Sequence, residues 1–106
     1  MVRSVPSGRC GKPMLEKEIE RALVKRVKEK GGLALKFVSP GTAGVPDRLI
    51  LFPIAHMGFV ELKAPGKKMR PIQLRRKFQL EKIGFRVYRI DRIEQIEEVL
   101  DEIRTS

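Results

Sequence analysis

Two apolar runs, Arg48–Phe52 (RLILF) and Gly58–Leu62 (GFVEL), are separated by only Pro53-Ile54-Ala55-His56-Met57. So short a connector between strand-length runs predicts an antiparallel hairpin with those residues as its loop. Successive side chains on a strand alternate, so Glu61 and Lys63 share one face while Leu62 points into the core. With that loop, Phe52 is set opposite Gly58, Leu49 opposite Glu61 and Asp47 opposite Lys63. Cross-strand partners share a face, so Asp47, Glu61 and Lys63 are expected together on one side. A register slipped by one residue would send Asp47 to the other side. An acid and a lysine inside an apolar strand need a reason, because unpaired buried charge is costly. The plain reason is an ion pair at a strand end; the other is a site.

The rest of the chain supplies helices around this hairpin. Ile19, Leu23 and Val27 recur every four residues within Met14–Lys30, with Ala22 beside them, and Gly31-Gly32 ends that helix. Leu33–Val38 (LALKFV) reads as a strand, followed by the turn-rich stretch Ser39–Gly44. Ala64–Arg70 is a Pro/Gly/Lys loop, and Pro71 opens a helix running to about Ile83, stopped by Gly84. On that helix Leu74 and Phe78, four apart, are expected on the buried side. Phe85–Ile90 reads as a fourth strand. Asp91 with Glu94 resembles a capping box before a last helix striped by Ile93, Ile96, Leu100 and Ile103. The order α-β-β-β-α-β-α predicts an α/β domain over 14–106, a small mixed sheet flanked by helices. Residues 1–13, rich in Gly, Pro, Ser and basic side chains, read as a mobile arm.

Charge narrows the class of partner. The chain of 106 residues carries a net +10, and residues 63–92 alone hold 11 basic and 2 acidic side chains. A segment of that density suits a polyanion, nucleic acid before an anionic membrane surface, unless it is merely a solvated basic face. Lys67, Lys68, Arg70, Arg75, Arg76 and Lys77 flank the Asp/Glu/Lys cluster directly, and Lys36 sits within the first strand. Such residues contact phosphates without reading bases. Five Phe, one Tyr and no Trp are expected to be spent in the core, which argues for backbone or shape recognition over base stacking. The single cysteine, Cys10, excludes an internal disulfide and a cysteine-based zinc site. No apolar run nears the roughly 18 residues of a membrane span. The basic N-terminus lacks the apolar stretch of a signal peptide, so an intracellular protein is expected.

Two carboxylates gathered beside a lysine suit a hard divalent cation with oxygen ligands. Such an ion would bridge the carboxylates and a scissile phosphate, lower the pKa of a bound water and neutralise developing charge. Lysine fits the third place because its ammonium can orient or deprotonate a water, whereas arginine stays protonated. His56, in the predicted hairpin loop, is remote from the acids and is expected to be a plain loop residue.

Pro46-Asp47 with Glu61-Leu62-Lys63 fills both halves of the PD…ExK motif, and the chain resembles that nuclease superfamily. The match extends to Gly44-Val45-Pro46-Asp47-Arg48, Phe59-Val60-Glu61-Leu62-Lys63-Ala64-Pro65-Gly66 and Pro71-Ile72-Gln73. In these segments it resembles the virus-type replication-repair nuclease (VRR-NUC) family, and Gly31-Gly32 with Lys36–Gly41 also fits. The resemblance covers roughly residues 15–91.

It implies a restriction-endonuclease-like fold that hydrolyses DNA phosphodiester bonds with Mg²⁺ or Mn²⁺ and needs no nucleotide cofactor. Asp47, Glu61 and the Leu62 backbone carbonyl would hold the metal, and Lys63 would be the catalytic lysine. The family's glutamate on the first helix is best matched by Glu20; Glu16 lies one turn earlier on the same face, so either or both are in reach. Gln73 matches the glutamine the family keeps beside the site. Arg70 departs from the pattern, standing where relatives often carry a small capping hydroxyl. Relatives of this size resemble phage or bacterial proteins, placing the chain in the cytoplasm of a bacterial or phage-infected cell. They form homodimers and cut branched DNA such as four-way junctions; a two-fold pair of sites suits paired cuts. The last helix and the basic middle helix are the candidate pairing surfaces. A general nicking or end-processing nuclease and a non-catalytic DNA-binding partner are the rival readings.

Overall fold

The structure, a computed structural model, describes residues 15–105; the expected basic arm, and Met14 at the expected start of the first helix, lie outside them. Four strands form one sheet in the spatial order β1 (Leu33–Lys36), β2 (Arg48–Phe52), β3 (His56–Leu62), β4 (Val87–Ile90). The first three make an antiparallel meander, and β4 joins β3 in parallel. That parallel step needs a crossover, which α2 (Pro71–Lys82) supplies. Before β1 lies α1 (Glu16–Glu29). After β4 a short 3₁₀ turn, Ile93–Gln95, leads into α3 (Ile96–Thr105). The element order is the one expected, with a small mixed sheet flanked by helices.

One face of the sheet builds the core. Ile50, Phe52, Val60, Leu62 and Ile90 pack against Ile19, Leu23 and Val27 of α1 and Ile96, Val99, Leu100 and Ile103 of α3. The four-residue stripe of α1 is thus spent on the sheet, and so is the apolar face of α3, which removes α3's apolar stripe as a pairing surface. α3 lies close enough that a Cβ on Gly58 would meet Ile103 at 2.9 Å. Among the described residues no helix is long and apolar enough to cross a membrane.

The hairpin register differs from expectation by two residues. Leu49 pairs with Phe59 and Phe52 with His56, so the connector is Pro53-Ile54-Ala55 and not five residues. Ile54 and Ala55 both adopt positive φ, 64° and 60°, which reverses the chain early and recruits His56 and Met57 into β3. His56 is therefore a strand residue. A two-residue shift preserves alternation, so the shared face of Asp47, Glu61 and Lys63 survives. Continuing the ladder past Arg48↔Val60 sets Asp47 opposite Glu61, where Lys63 was expected.

The second helix also departs from expectation. Leu74 and Phe78 are 51% and 66% exposed, and the buried residue of α2 is Gln73. The sheet face beneath α2 carries buried Glu61, so the inward position is taken by an amide that can satisfy a carboxylate. With Phe78 in solvent, the aromatics are not all core residues; Phe59 is, packed between Phe37 at 5.4 Å and Phe85 at 6.0 Å. The last helix is capped one position later than expected. Gln95 Oε1 accepts the N–H groups of Asp91 (2.8 Å) and Arg92 (3.2 Å), which frees the Asp91 side chain for other partners.

Candidate active site

The end of β3 sets the site. Glu61 is buried, on the face away from the helical core, with Val60 and Leu62 turned inward. Asp47 lies just before β2 and reaches across: its Oδ2 accepts the Leu62 N–H at 3.0 Å, while its own carbonyl accepts the Phe37 N–H at 2.9 Å. Gly44, at φ +80°, allows the preceding loop to close on α2; a Cβ there would sit 2.6 Å from the Ile72 carbonyl oxygen.

Glu61 Oε2 accepts a 2.6 Å hydrogen bond from Gln73 Nε2 and lies 3.4 Å from Lys63 Nζ. Gln73 Oε1 accepts the Arg70 N–H at 2.8 Å, so the amide also serves the helix N-terminus that Arg70 leaves without a side-chain cap. The other oxygen, Glu61 Oε1, is buried and has no hydrogen-bond partner among the described residues. Burial pushes the Glu61 carboxyl above the ordinary range, and the charge of Asp47 pushes it further, against the pull of Lys63.

α1 contributes a third acid. The Glu16 carboxyl is also raised, first by partial burial and then by Asp47 and Glu20, with Lys63 and Lys67 pulling it down. Glu16 thus shares the field of the cluster. Glu20, one turn on, is held by Arg48, whose Nε and Nη2 donate to its Oε2 at 3.1 and 2.8 Å while Nη1 donates to the Ala34 carbonyl.

The donor set fits a hard divalent cation: an orphaned buried carboxylate oxygen, a second carboxylate in its field and the Leu62 backbone at the same strand end. Among the described residues no group of three or more acidic, His or Cys side chains is placed to hold a metal ion.

The basic residues divide. Lys67 lies within the field of Glu16, and Lys68 lines a cleft of about 440 Å³ with Gly66, Met69, Leu74 and Arg89. Arg70 and Arg75 are exposed at the start of α2. Arg76 donates to the Ala43 carbonyl and to Gln79, and Lys77 pairs with Glu81, so both are engaged within the fold. Lys36 pairs with Arg48 in register and so falls on the sheet face opposite Glu61.

Three residues with clear partners, Arg48, Arg89 and Asp91, carry roles that the sequence alone did not assign them. Arg48 begins a strand whose next same-face residues are Ile50 and Phe52, and a charge on a core face signals a partner. Arg89 and Asp91 follow β3's neighbour strand to its end, where Asp91 is only 4% exposed; its capping-box spacing concealed that role.

Over 76 residues the chain is 50% identical to "Putative nuclease p44" of Acyrthosiphon pisum secondary endosymbiont phage 1, spanning 72% of this chain and 82% of the relative. A solved structure described as "VRR_NUC domain" superposes with a TM-score of 0.76 at 29% identity, covering 81% of this chain and 94% of that one. The chain belongs to the VRR-NUC family of nucleases. A second solved structure, "VRR_NUC domain protein", shares the fold at a TM-score of 0.69 and 18% identity over 89% of this chain and 91% of that one. No family model matches the chain. Its VRR-NUC segments, Gly44–Arg48, Phe59–Gly66 and Pro71–Gln73, meet in space through the Asp47–Leu62 and Glu61–Gln73 hydrogen bonds.

Proposed function

We propose that this VRR-NUC domain is a divalent-metal-dependent deoxyribonuclease that hydrolyses phosphodiester bonds. The observation that supports it most is the buried Glu61 Oε1, without a partner among the described residues, on a carboxylate held by Gln73 and Lys63 and set beside Asp47. A carboxylate kept charged in such a place is expensive without a cation. Asp47, Glu61 and the Leu62 carbonyl would hold Mg²⁺ or Mn²⁺, with Glu16 the α1 acid whose charge couples to Asp47 and Glu61, while Glu20 pairs with Arg48. When bound, the ion would acidify water and neutralise phosphate charge. Lys63 Nζ holds Glu61 and stands ready to orient the attacking water and to contact the phosphate. The attack forms one P–O bond and breaks another, with the proton of the water passing to solvent or to the leaving oxygen.

Lys67, Lys68, Arg70 and Arg75 supply the exposed cationic surface beside these groups, which suits a DNA backbone. Arg76, Lys77 and Lys36 add charge from positions engaged elsewhere or on the other face. We further propose a homodimer acting on branched DNA, since paired cuts on two strands call for two sites about a two-fold axis. The exposed Phe78 and Leu74 of α2 give that helix an apolar face of the kind found at protein contacts. The test is cleavage of labelled four-way junction and linear duplex, with Mn²⁺ or chelator, alongside the sedimentation mass. Preferential junction cutting by a dimer is expected. Equal cutting of both substrates removes the branched-DNA reading, and binding without cutting leaves a DNA-binding module.

A further inference from the structure

The loop from Ala64 to Arg70 leaves the site directly after Lys63 and carries three of the exposed cations. Little within the loop fixes it: the Lys67 N–H donates to the Ala64 carbonyl at 3.0 Å, and Gly66 takes a φ of +80° that suits glycine. Gln73 of α2 holds the loop's last residue through the Arg70 N–H, and its middle is anchored from the end of β4. Asp91, 4% exposed, accepts the Gly66 N–H at 3.2 Å and Arg89 Nη2 at 3.0 Å, both on Oδ2. The same Arg89 nitrogen donates to the Lys67 carbonyl. Asp91 Oδ1 faces Arg92 Nε at 3.8 Å. Arg89 is also the register partner of Glu61, so the clamp rises from the strand beside the candidate catalytic acid.

This geometry fixes Lys67 on both sides of its backbone, through Ala64 and through Arg89. Its exposed ammonium is close enough to Glu16 to pull that carboxyl down, and the loop that carries it starts directly after Lys63. A flexible lysine loses side-chain and backbone freedom when it grips a phosphate, and a backbone already held reduces that loss. Both Arg89 bonds come from the two N–H groups of one terminal nitrogen, held in the plane of the guanidinium, a fixed geometry that the freely rotating lysine ammonium does not reproduce.

We propose that Asp91 is a positioning residue: with Arg89 it clamps the Ala64–Arg70 loop to the end of β4 and so presents Lys67 to a DNA phosphate next to the site. It rests on the reading above only in taking DNA as the polyanion.

The test measures binding of labelled duplex DNA in chelator across a range of salt, for Asp91→Asn, Arg89→Lys, Lys67→Ala and the double variant Asp91→Asn/Lys67→Ala. Lys67→Ala is expected to weaken binding about tenfold and to lower the magnitude of the salt slope by about one. Asp91→Asn and Arg89→Lys weaken it by a comparable factor, and in cleavage assays the loss falls in KM more than in kcat. The double variant binds within about twofold of Lys67→Ala alone, because both changes remove one contact. Trypsin cuts after Lys67 or Lys68 faster in Asp91→Asn than in the wild type under native conditions. Losses at Asp91 and Lys67 that multiply in full would overturn the clamp, as would unchanged binding or unchanged trypsin cutting in Asp91→Asn. If the wild type never cuts DNA but the coupling in binding holds, the nuclease reading fails and the clamp stands.

Discussion

Gln73 fixes Glu61: its Nε2 donates to Glu61 Oε2 at 2.6 Å while its Oε1 accepts the Arg70 N–H at 2.8 Å. With a donor owed to one side and an acceptor to the other, the amide has one useful orientation. Glu61 therefore keeps Oε2 for Gln73 and Lys63 and leaves Oε1 unpartnered among the described residues.

Gln73→Ala removes that orientation while leaving every proposed metal ligand in the sequence. Second-layer partners of this sort are worth roughly 10–100-fold in metal affinity or activity. The half-saturating Mn²⁺ concentration for cleavage is expected to rise within that range, with DNA binding in chelator little changed. A Mn²⁺ titration of the cleavage rate checks it. A drop in DNA binding with no change in metal dependence would place Gln73 in substrate contact.

Crowded carboxylates predict that a divalent ion, on binding, stabilises the native protein. A ligand that binds only the folded state at about 100 times its Kd adds about 2.7 kcal/mol. Mn²⁺ is expected to raise the melting temperature of the wild type, while Glu61→Gln melts at the same temperature with and without it. Scanning calorimetry in chelator and in Mn²⁺ decides between these outcomes.

Glu16 and Glu20 separate by their partners. Glu16 feels Asp47 and the two lysines, whereas Glu20 is held by Arg48. Glu16→Gln is expected to weaken Mn²⁺-dependent cleavage by about tenfold, on the scale of one lost charge contact. Glu20→Gln is expected to act mainly on stability, by freeing the half-buried Arg48. Parallel Mn²⁺ titrations and thermal melts of the two variants check this, and the reverse ranking would assign the metal-side role to Glu20.

Asp91 gives the fold an acid-sensitive point. Burial pushes its carboxyl up, but the Gly66 N–H, Arg89 and Arg92 together outweigh that and hold it below its ordinary value of 3.8. A carboxyl whose folded pKa is depressed stabilises above its unfolded pKa, and that contribution fades as pH falls through the folded value. The loss is therefore expected below about pH 4, and Asp91→Asn flattens it. Urea midpoints of wild type and variant between about pH 6 and pH 3 measure the difference. Parallel acid profiles would show that Asp91 is not so held.

Much of the fold was legible because periodicity carries it. The stripe Ile19, Leu23, Val27 and the stripe Ile96, Leu100, Ile103 both lie buried on the sheet. The face shared by Asp47, Glu61 and Lys63 was legible for a subtler reason: alternation survives a register error of two. The error came from Ile54 and Ala55, whose positive φ no hydrophobic pattern announces. α2 misled because its apolar residues face solvent while the polar Gln73 is buried, an inversion caused by Glu61 beneath it. The different partners of Glu16 and Glu20 needed three dimensions, since Arg48 stands 28 residues from Glu20. Asp91 was hidden likewise, its partner Gly66 being 25 residues away.

The most direct measurement is the single-turnover cleavage rate of labelled DNA by wild type, Asp47→Asn and Lys63→Ala, each with Mn²⁺ and with chelator. Mn²⁺-dependent cutting by the wild type is expected. Both variants should still bind DNA while their rates fall by about 10² or more, the scale of losing one general acid–base or electrostatic group. Wild-type protein that binds DNA and never cuts it with Mn²⁺ or Mg²⁺ would contradict the account, and so would variants that cut at the wild-type rate.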